Sequence, residues 1–422
     1  MPRFIRQIAT TDPLGSAVTI LEANPLGHSC ARVCPVEALC EGSCVYHDWH
    51  EKPIQIARLQ RYATDHIHAG GWQAFAPGKA TGKKAAIVGA GPAGLSCAAY
   101  LRRLGVAVTL FEAKPKPGGL NTYGIAEYKL DGPTSLDETA MVLDLGADIR
   151  YGVQVGKRIP FERLTKEFDA VFLGVGLGAG HSLGVPGEHL PGVYEALALI
   201  ERIKHHDFKS IPPGDVTVCI GAGNTAVDVV TQVKRLGTPK VVMAYRRAPE
   251  DMSAYPYEYE LAKADAVEFL WHVAPVKILG SKKVEGIRFQ KMAQKDGKLA
   301  PLPGSEFDVP CDRVVKAIGQ KAHGETLRTL SGLALDDKGR VKTDPTTLKT
   351  SHPKVWAGGD AINGGKEVVN AAADGKRAAL AIYRQVTGKE PGPEHSYWIS
   401  TIEGRLKAAP GKTHDAKKAL AY

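Results

Sequence analysis

The stretch Ala86-Ile87-Val88-Gly89-Ala90-Gly91-Pro92-Ala93-Gly94, with Glu112 23 positions beyond Gly89, constrains this chain more than any other. Ala85 to Val88 read as a buried parallel strand, and Leu95 to Leu104 as an apolar-faced helix. Between them Gly89, Gly91 and Gly94 make a G-x-G-x-x-G turn. The first glycine permits the turn, the second lets a pyrophosphate touch the backbone, and the third lets helix and strand pack closely. The helix start offers free N–H groups and a positive dipole end to phosphates. A second strand, Ala107 to Phe111, ends at Glu112, placed to accept hydrogen bonds from an adenosine ribose. A glycine triplet alone is a weak signal; strand, turn, helix, strand and terminal acid in register make a strong one.

The 422 residues are too many for one core and predict two to three domains. Hydrophobic residues at 44% and charged residues at 23% fit a soluble globular chain. No apolar run reaches membrane-spanning length, and Met1-Pro2-Arg3-Phe4-Ile5-Arg6 lacks the features of a signal peptide, so a cytoplasmic protein is expected. The net charge of +9 reads as solubility, and no basic run interleaved with aromatics suggests a nucleic-acid groove.

Four of the seven cysteines crowd into 15 residues as Cys30-x3-Cys34-x5-Cys40-x3-Cys44. In a reducing compartment such a group reads as metal or iron–sulfur ligation rather than disulfides. Zinc sites more often show two-residue gaps, so spacings of three and five lean toward iron–sulfur, with zinc or bare thiols as alternatives. Cys97, Cys219 and Cys311 fall in or beside expected buried elements and read as core residues.

Residues 1 to about 70 read as helical without a strand pattern: Asp12 caps a helix through Ser16 to Ala23, and a second helix runs from Ile54 to Asp65. So small a core needs a cross-linking cluster. Past Glu112, Pro117-Gly118-Gly119-Leu120 gives a second glycine turn for a flavin's phosphates and ribityl chain. Asp169 to Gly176 reads as a strand ending in glycines. A second dinucleotide unit follows: strand Val216 to Ile220, turn Gly221-Ala222-Gly223-Asn224-Thr225-Ala226, a helix through Val233, and strand Lys240 to Ala244. Its last strand ends in Tyr245-Arg246-Arg247 instead of an acid. Arginine binds a 2′-phosphate where a carboxylate would repel it, so NADPH is favoured, with NADH as the alternative. Arg313 to Gly319 reads as the return to the first domain. Val355 to Asp360 then reads as a strand that brings Asp360 to the first site, and Glu367 to Ile382 as a helix aimed at the flavin ring. The tail from Gly388 is expected to be an extended or disordered arm.

Together these motifs resemble the glutamate synthase small-subunit family. The nearest likeness is to the electron-input subunit of dihydropyrimidine dehydrogenase. Phe4-Ile5-Arg6, Cys30-Ala31-Arg32-Val33-Cys34-Pro35, Leu39-Cys40-Glu41-Gly42-x-Cys44 and Ile56-x-Arg58-Leu59-Gln60-Arg61-Tyr62-Ala63-Thr64-Asp65 carry it, and it runs from residue 4 to about 385. The resemblance implies an α/β fold of two Rossmann-like domains, the NAD(P)H domain inserted in the FAD domain, behind a small all-α iron–sulfur domain. The expected divisions are 1–77 for the iron–sulfur domain, 78–177 and 321–388 for FAD, 178–320 for NAD(P)H and 389–422 for the tail. FAD-site candidates are Gly89, Ala90, Gly91, Pro92, Ala93, Gly94, Glu112, Gly118, Gly119, Leu120, Val155, Gly176, Gly359, Asp360 and Val369. Those for the nicotinamide nucleotide are Gly221, Gly223, Asn224, Thr225, Arg246 and Arg247.

The resemblance further implies [4Fe–4S] clusters, with Cys34, Cys40 and Gln60 ligating one and Cys44 the other. The family carries four more cysteines upstream of the position of Phe4, so a single cluster on Cys30, Cys34, Cys40 and Cys44, or no cluster, are the alternatives. It implies hydride transfer from NAD(P)H to FAD N5, then single electrons through the clusters to an FMN-bearing iron–sulfur partner subunit that reduces uracil or thymine. Glutamate synthase is the competing assignment and a zinc-clamped docking module a third. The cofactors do the chemistry, so no general acid or base is named.

Overall fold

The computed structural model describes residues 2–211, 214–295, 298–391 and 407–408. The chain divides into two compact units, one of residues 1–122, 132–177 and 322–422, the other of 123–131 and 178–321.

The first unit opens with four helices, α1 (Pro2–Ala9), α2 (Pro13–Ala23), α3 (Gly27–Val33) and α4 (Ile56–Ala69). Asp12 caps α2 as its sequence position demands, its Oδ1 accepting from Gly15 N at 2.8 Å. Pro13, pre-set for a first helical turn, follows the cap directly and starts the helix. Phe4, Leu14, Ala17, Leu21 and Ile67 form a small apolar core under these helices. The helix α1 falls inside the block read as helical, although no bounds were set for it, and α4 runs on to Ala69 rather than stopping at Asp65.

A short β1 (Trp72–Gln73) leads to β2 (Lys84–Val88), α5 (Pro92–Arg103) and β3 (Ala107–Phe111). Then come α6 (Leu120–Tyr123), α7 (Gly132–Leu143), β4 (Asp148–Arg150), α8 (Phe161–Glu167) and β5 (Ala170–Leu173). The second unit supplies β6 (Val193–Glu195), α9 (Ala196–Lys204), β7 (Val216–Ile220), α10 (Asn224–Arg235), β8 (Lys240–Ala244), α11 (Pro256–Ala264) and β9 (Glu268–Leu270). It continues with β10 (Val273–Leu279), β11 (Gly286–Lys295), β12 (Lys298–Pro301), β13 (Phe307–Pro310) and β14 (Arg313–Lys316). The chain re-enters the first unit with α12 (Gly324–Arg328), β15 (Val355–Ala357), α13 (Asp360–Asn363) and α14 (Val368–Thr387).

Each unit is built on a five-stranded parallel sheet, in the order β15-β5-β2-β3-β4 in the first and β6-β14-β7-β8-β9 in the second. Strands β2, β5 and β7 are buried at nearly every position, as sheets covered on both faces require. In the first unit α14 packs along α5: Ser96 Oγ donates to Ala372 O at 2.7 Å, and a Cβ on Gly375 would stand 2.3 Å from Ala93 O. Glu367 caps α14 reciprocally with Asn370, and left-handed Gly388 ends it.

Two sequence expectations need correction. Arg313–Lys316 does not return to the first sheet; β14 lies between β6 and β7 in the second. A parallel strand ending in glycine looks the same in either sheet, so sequence could not separate them. The antiparallel strands β10 to β13 were not anticipated at all; proline and glycine interrupt their alternation. The expectation for the tail falls almost wholly outside the described residues; within them, β16 (Lys407–Ala408) pairs antiparallel with β1. Among the described residues no helix is long and apolar enough to cross a membrane.

Candidate functional site

Two glycine turns of the first unit lie face to face. Gly89 turns at φ +96°, where a Cβ would stand 2.4 Å from Gly174 O, and a Cβ on Gly94 would stand 2.0 Å from Gly89 O. A Cβ on Gly119 would reach within 2.7 Å of Gly91 Cα, and Gly118 N donates to Ala90 O at 2.8 Å. Only glycine lets these backbones approach so closely. Helix α5 starts at Gly91 with Pro92 in its first turn and no side-chain cap, leaving N–H groups for an anion.

Glu112 is buried at the end of β3; its Oε2 accepts from Ala90 N and its Oε1 from Lys114 N, both at 2.8 Å. The carboxylate thus fixes the Gly89–Gly91 turn and keeps lone pairs for further donors. Gly359, at φ +67°, brings Ala93 and Ala371 together, since its Cβ would lie 3.1 and 3.7 Å from theirs. Beside it Asp360 Oδ1 accepts from Lys366 N at 3.1 Å, and burial raises the Asp360 pKa. Val369, half-buried, is in the first turn of α14. Gly176, at φ +65°, faces open space, and Leu120 is 37% exposed at the start of α6. Val155 is half-buried two residues beyond Val153, whose N–H donates to Glu112 O at 2.9 Å. The Gly89–Gly94 turn, Glu112, Gly176 and Gly359 with Asp360 follow the carboxyl ends of β2, β3, β5 and β15, the end at which a parallel sheet binds its ligand. The cradle fits a flavin dinucleotide: glycine faces, an uncapped helix start and two flanking carboxylates.

The second unit repeats the device. Gly221 turns at φ +128° with 2.2 Å between its would-be Cβ and Ala317 O, and α10 starts at Gly223 without a side-chain cap. Thr225 is half-buried in its first turn. Asn224 does something its motif did not foretell: its Oδ1 accepts from Tyr255 N at 3.2 Å, while Ala254 N donates to Ala222 O at 3.2 Å. The 252–255 loop is thereby fastened to the glycine turn. Arg246 and Arg247 follow β8 and are exposed, and neither makes an ion pair among the described residues. Two cations without a carboxylate partner fit a 2′-phosphate.

Sequence reasoning also missed residues 123–131, which belong to the second unit. There Lys129 Nζ lies 2.6 Å from both Asp228 of α10 and Glu258 of α11, and Tyr128 OH donates to Asp228 at 3.0 Å. The two carboxylates outweigh the cost of burial and raise the Lys129 pKa.

The four clustered cysteines are free thiols. Cys30 is buried on α3, its Sγ accepting from Asn24 Nδ2 at 3.1 Å; a hydrogen bond to Cys34, together with burial, raises its pKa well above the usual thiol value. Cys34 ends the helix, and burial raises the pKa of Cys40, with the charge of Cys34 a lesser cause. Cys44 is buried immediately before the 3-10 turn Val45–Trp49. Gln60 is half-buried on α4, which packs on α3. Arg32 Nη2 pairs with Asp65 at 2.5 Å, and the His28 and His68 rings stack at 3.9 Å. Burial lowers the His28 pKa to about 2, so its ring is neutral. Among the described residues no three His, Cys, Asp or Glu side chains converge as the ligands of one ion would. Four thiols with an amide on α4 are the donor chemistry that an iron–sulfur cluster, whose irons take thiolates, would use.

A parallel-sheet flavin cradle, a second nucleotide turn and a thiol-rich helical block define an NAD(P)H-dependent flavin oxidoreductase. The chain belongs to the pyridine nucleotide-disulphide oxidoreductase family, whose model matches residues 83–375. Residues 1–72 match the model for dihydropyrimidine dehydrogenase domain II, 4Fe-4S cluster. FAD, NAD(P)H and a 4Fe–4S cluster are the cofactors that these families bring. The glutamate synthase [NADPH] small chain of Halomonas elongata is 36% identical over 90% of this chain and 84% of its own length. The NAD-dependent dihydropyrimidine dehydrogenase subunit PreT of Salmonella typhimurium is 33% identical over 90% of this chain and 87% of its own. The solved structure of Mycobacterium tuberculosis FprA in complex with NADPH shares the fold, with TM-score 0.60 and 21% identity over 74% of this chain and 88% of that one. Among the described residues Cys97 is a single buried thiol on α5, with no second cysteine in that helix to make a redox pair.

Proposed function

We propose that this chain is the electron-input subunit of a hetero-oligomer, taking hydride from NADPH and delivering electrons through its cysteine block to a partner subunit. FAD, when bound, supplies the conversion from a two-electron donor to single-electron steps. The chain's own residues do the rest. The Gly89–Gly94 and Gly118–Gly119 turns would seat the pyrophosphate, Glu112 would take the ribose and Asp360 the ribityl chain, and the start of α14 would offer its dipole to the flavin ring. Gly221, Gly223 and Thr225 seat the second nucleotide, and Arg246 with Arg247 selects its 2′-phosphate. The names of the relatives specify NADPH in one case and NAD in the other; the unpaired arginines favour NADPH. Cys34, Cys40, Cys44 and Gln60 hold iron–sulfur, with Cys30 beside them.

The observation that carries this reading is the cysteine block and the flavin cradle within one compact unit. For the partner, the likeness of residues 1–72 to a dihydropyrimidine dehydrogenase domain supports an FMN-bearing iron–sulfur subunit that reduces uracil or thymine. The Halomonas relative, 36% identical, supports the second reading, a glutamate-forming large subunit. Affinity purification under anaerobic conditions separates them. The first predicts a co-purifying FMN subunit and NADPH-dependent loss of uracil; the second predicts glutamate from glutamine and 2-oxoglutarate. Neither activity in a complex that retains its partner contradicts both.

A further inference from the structure

The helix that carries Cys30 and ends at Cys34 cannot cap itself. Its N-cap is Leu26, which has no side-chain acceptor, so the N–H groups of the first turn need a partner from elsewhere. Glu138 of α7, 110 positions away from His28 in sequence, supplies it. Its Oε1 accepts from His28 N at 2.9 Å and Ser29 N at 3.0 Å, and its Oε2 accepts from Ser29 Oγ. The residue is 1% exposed and sits in the flavin-binding part of the unit, on a helix that packs against both α3 and α5. On its other side α3 is held to α4 by Arg32–Asp65 and by the stacked His28 and His68.

We propose that Glu138 is a positioning residue for electron transfer: by gripping the first turn of α3 it fixes Cys34, one turn beyond Cys30, against the flavin-binding fold. Electron transfer weakens steeply as the gap between donor and acceptor grows, so a loosened α3 slows the step from flavin to cluster and leaves hydride transfer to the flavin intact. An apolar residue of the same size strands three buried donors, whereas glutamine keeps the Oε1 that takes both backbone N–H groups. The inference rests on the reading that the cysteine block holds iron–sulfur fed from the flavin.

The test compares wild type, E138Q and E138M, purified anaerobically, by stopped-flow reduction with NADPH. Flavin and cluster are followed by absorbance, and direct flavin turnover is measured with ferricyanide. E138M is expected to slow cluster reduction about tenfold or more, with flavin reduction and ferricyanide turnover within about twofold of wild type, and E138Q to match wild type. In the iron-free chain, amide exchange across residues 27–33 should rise in E138M alone. If E138M does not fold, S29A, which removes only the hydroxyl contact, should show a smaller effect in the same direction. Cluster reduction in E138M as fast as in wild type overturns the inference, as does an equal slowing of the flavin step or a loss in E138Q equal to that in E138M. A wild-type chain that binds no iron overturns the underlying reading as well.

Discussion

Replacing Arg246 by glutamate and Arg247 by glutamine is expected to lower kcat/KM for NADPH by about 10²- to 10³-fold. A hydrogen bond to a charged group contributes about 1.5–3 kcal/mol. Both arginines are exposed, so screening brings the joint loss to the lower part of the summed range, about 3–4 kcal/mol, at about 1.4 kcal/mol per tenfold. NADH carries no 2′-phosphate and gains a carboxylate for its ribose, so its kcat/KM should hold or rise. The measurement is steady-state turnover of each coenzyme with ferricyanide as acceptor, which needs neither cluster nor partner. An unchanged ratio of the two kcat/KM values would remove these residues from coenzyme selection.

Gly94→Ala is expected to yield a protein that purifies with little FAD. The added Cβ would stand 2.0 Å from Gly89 O and 3.1 Å from Ile87 Cγ2. The nearer atom is backbone and cannot swing aside, so the start of α5 must move off β2. Overpacking of this kind costs about 1–3 kcal/mol in stability. The larger effect falls on binding, because the displaced turn is the one Glu112 and Gly118 hold in place. The flavin-to-protein absorbance ratio should collapse, and NAD(P)H-dependent turnover with it. The glycine turn of the second unit should still bind coenzyme, because its strands and helix are separate. Full flavin occupancy in Gly94→Ala would contradict the placement of the pyrophosphate.

Both nucleotide turns were legible because their backbone geometry admits few residue types: Gly89 and Gly221 sit at positive φ, and Gly94 has no room for a methyl group. Strands β3, β7 and β8 begin and end where the sequence places them, since each is an apolar run bounded by a turn or a charge. What escaped depends on partners remote in sequence. Leu26 at the start of α3 gives no sign that Glu138 will cap it. No motif marks Lys129 as the residue on which Asp228 and Glu258 close. Asn224 reads as a candidate for the nicotinamide nucleotide, and nothing in its motif foretells that its Oδ1 also fastens the loop at Tyr255. For the cysteine block, spacing indicated the class of chemistry, while the packing of α3 between α4 and α7 lies beyond any motif.

Whether one chain joins an NADPH-reducible flavin to iron–sulfur is decided by anaerobic purification, assay of iron, acid-labile sulfide and FAD, and then titration with NADPH under the spectrometer. Iron and sulfide are expected in equal amounts, about four of each per flavin or a multiple of that. NADPH is expected to bleach the flavin bands and then the broad cluster absorbance. Flavin that NADPH reduces in a protein lacking iron and sulfide would contradict that link, leaving a diaphorase whose cysteine block carries no electrons.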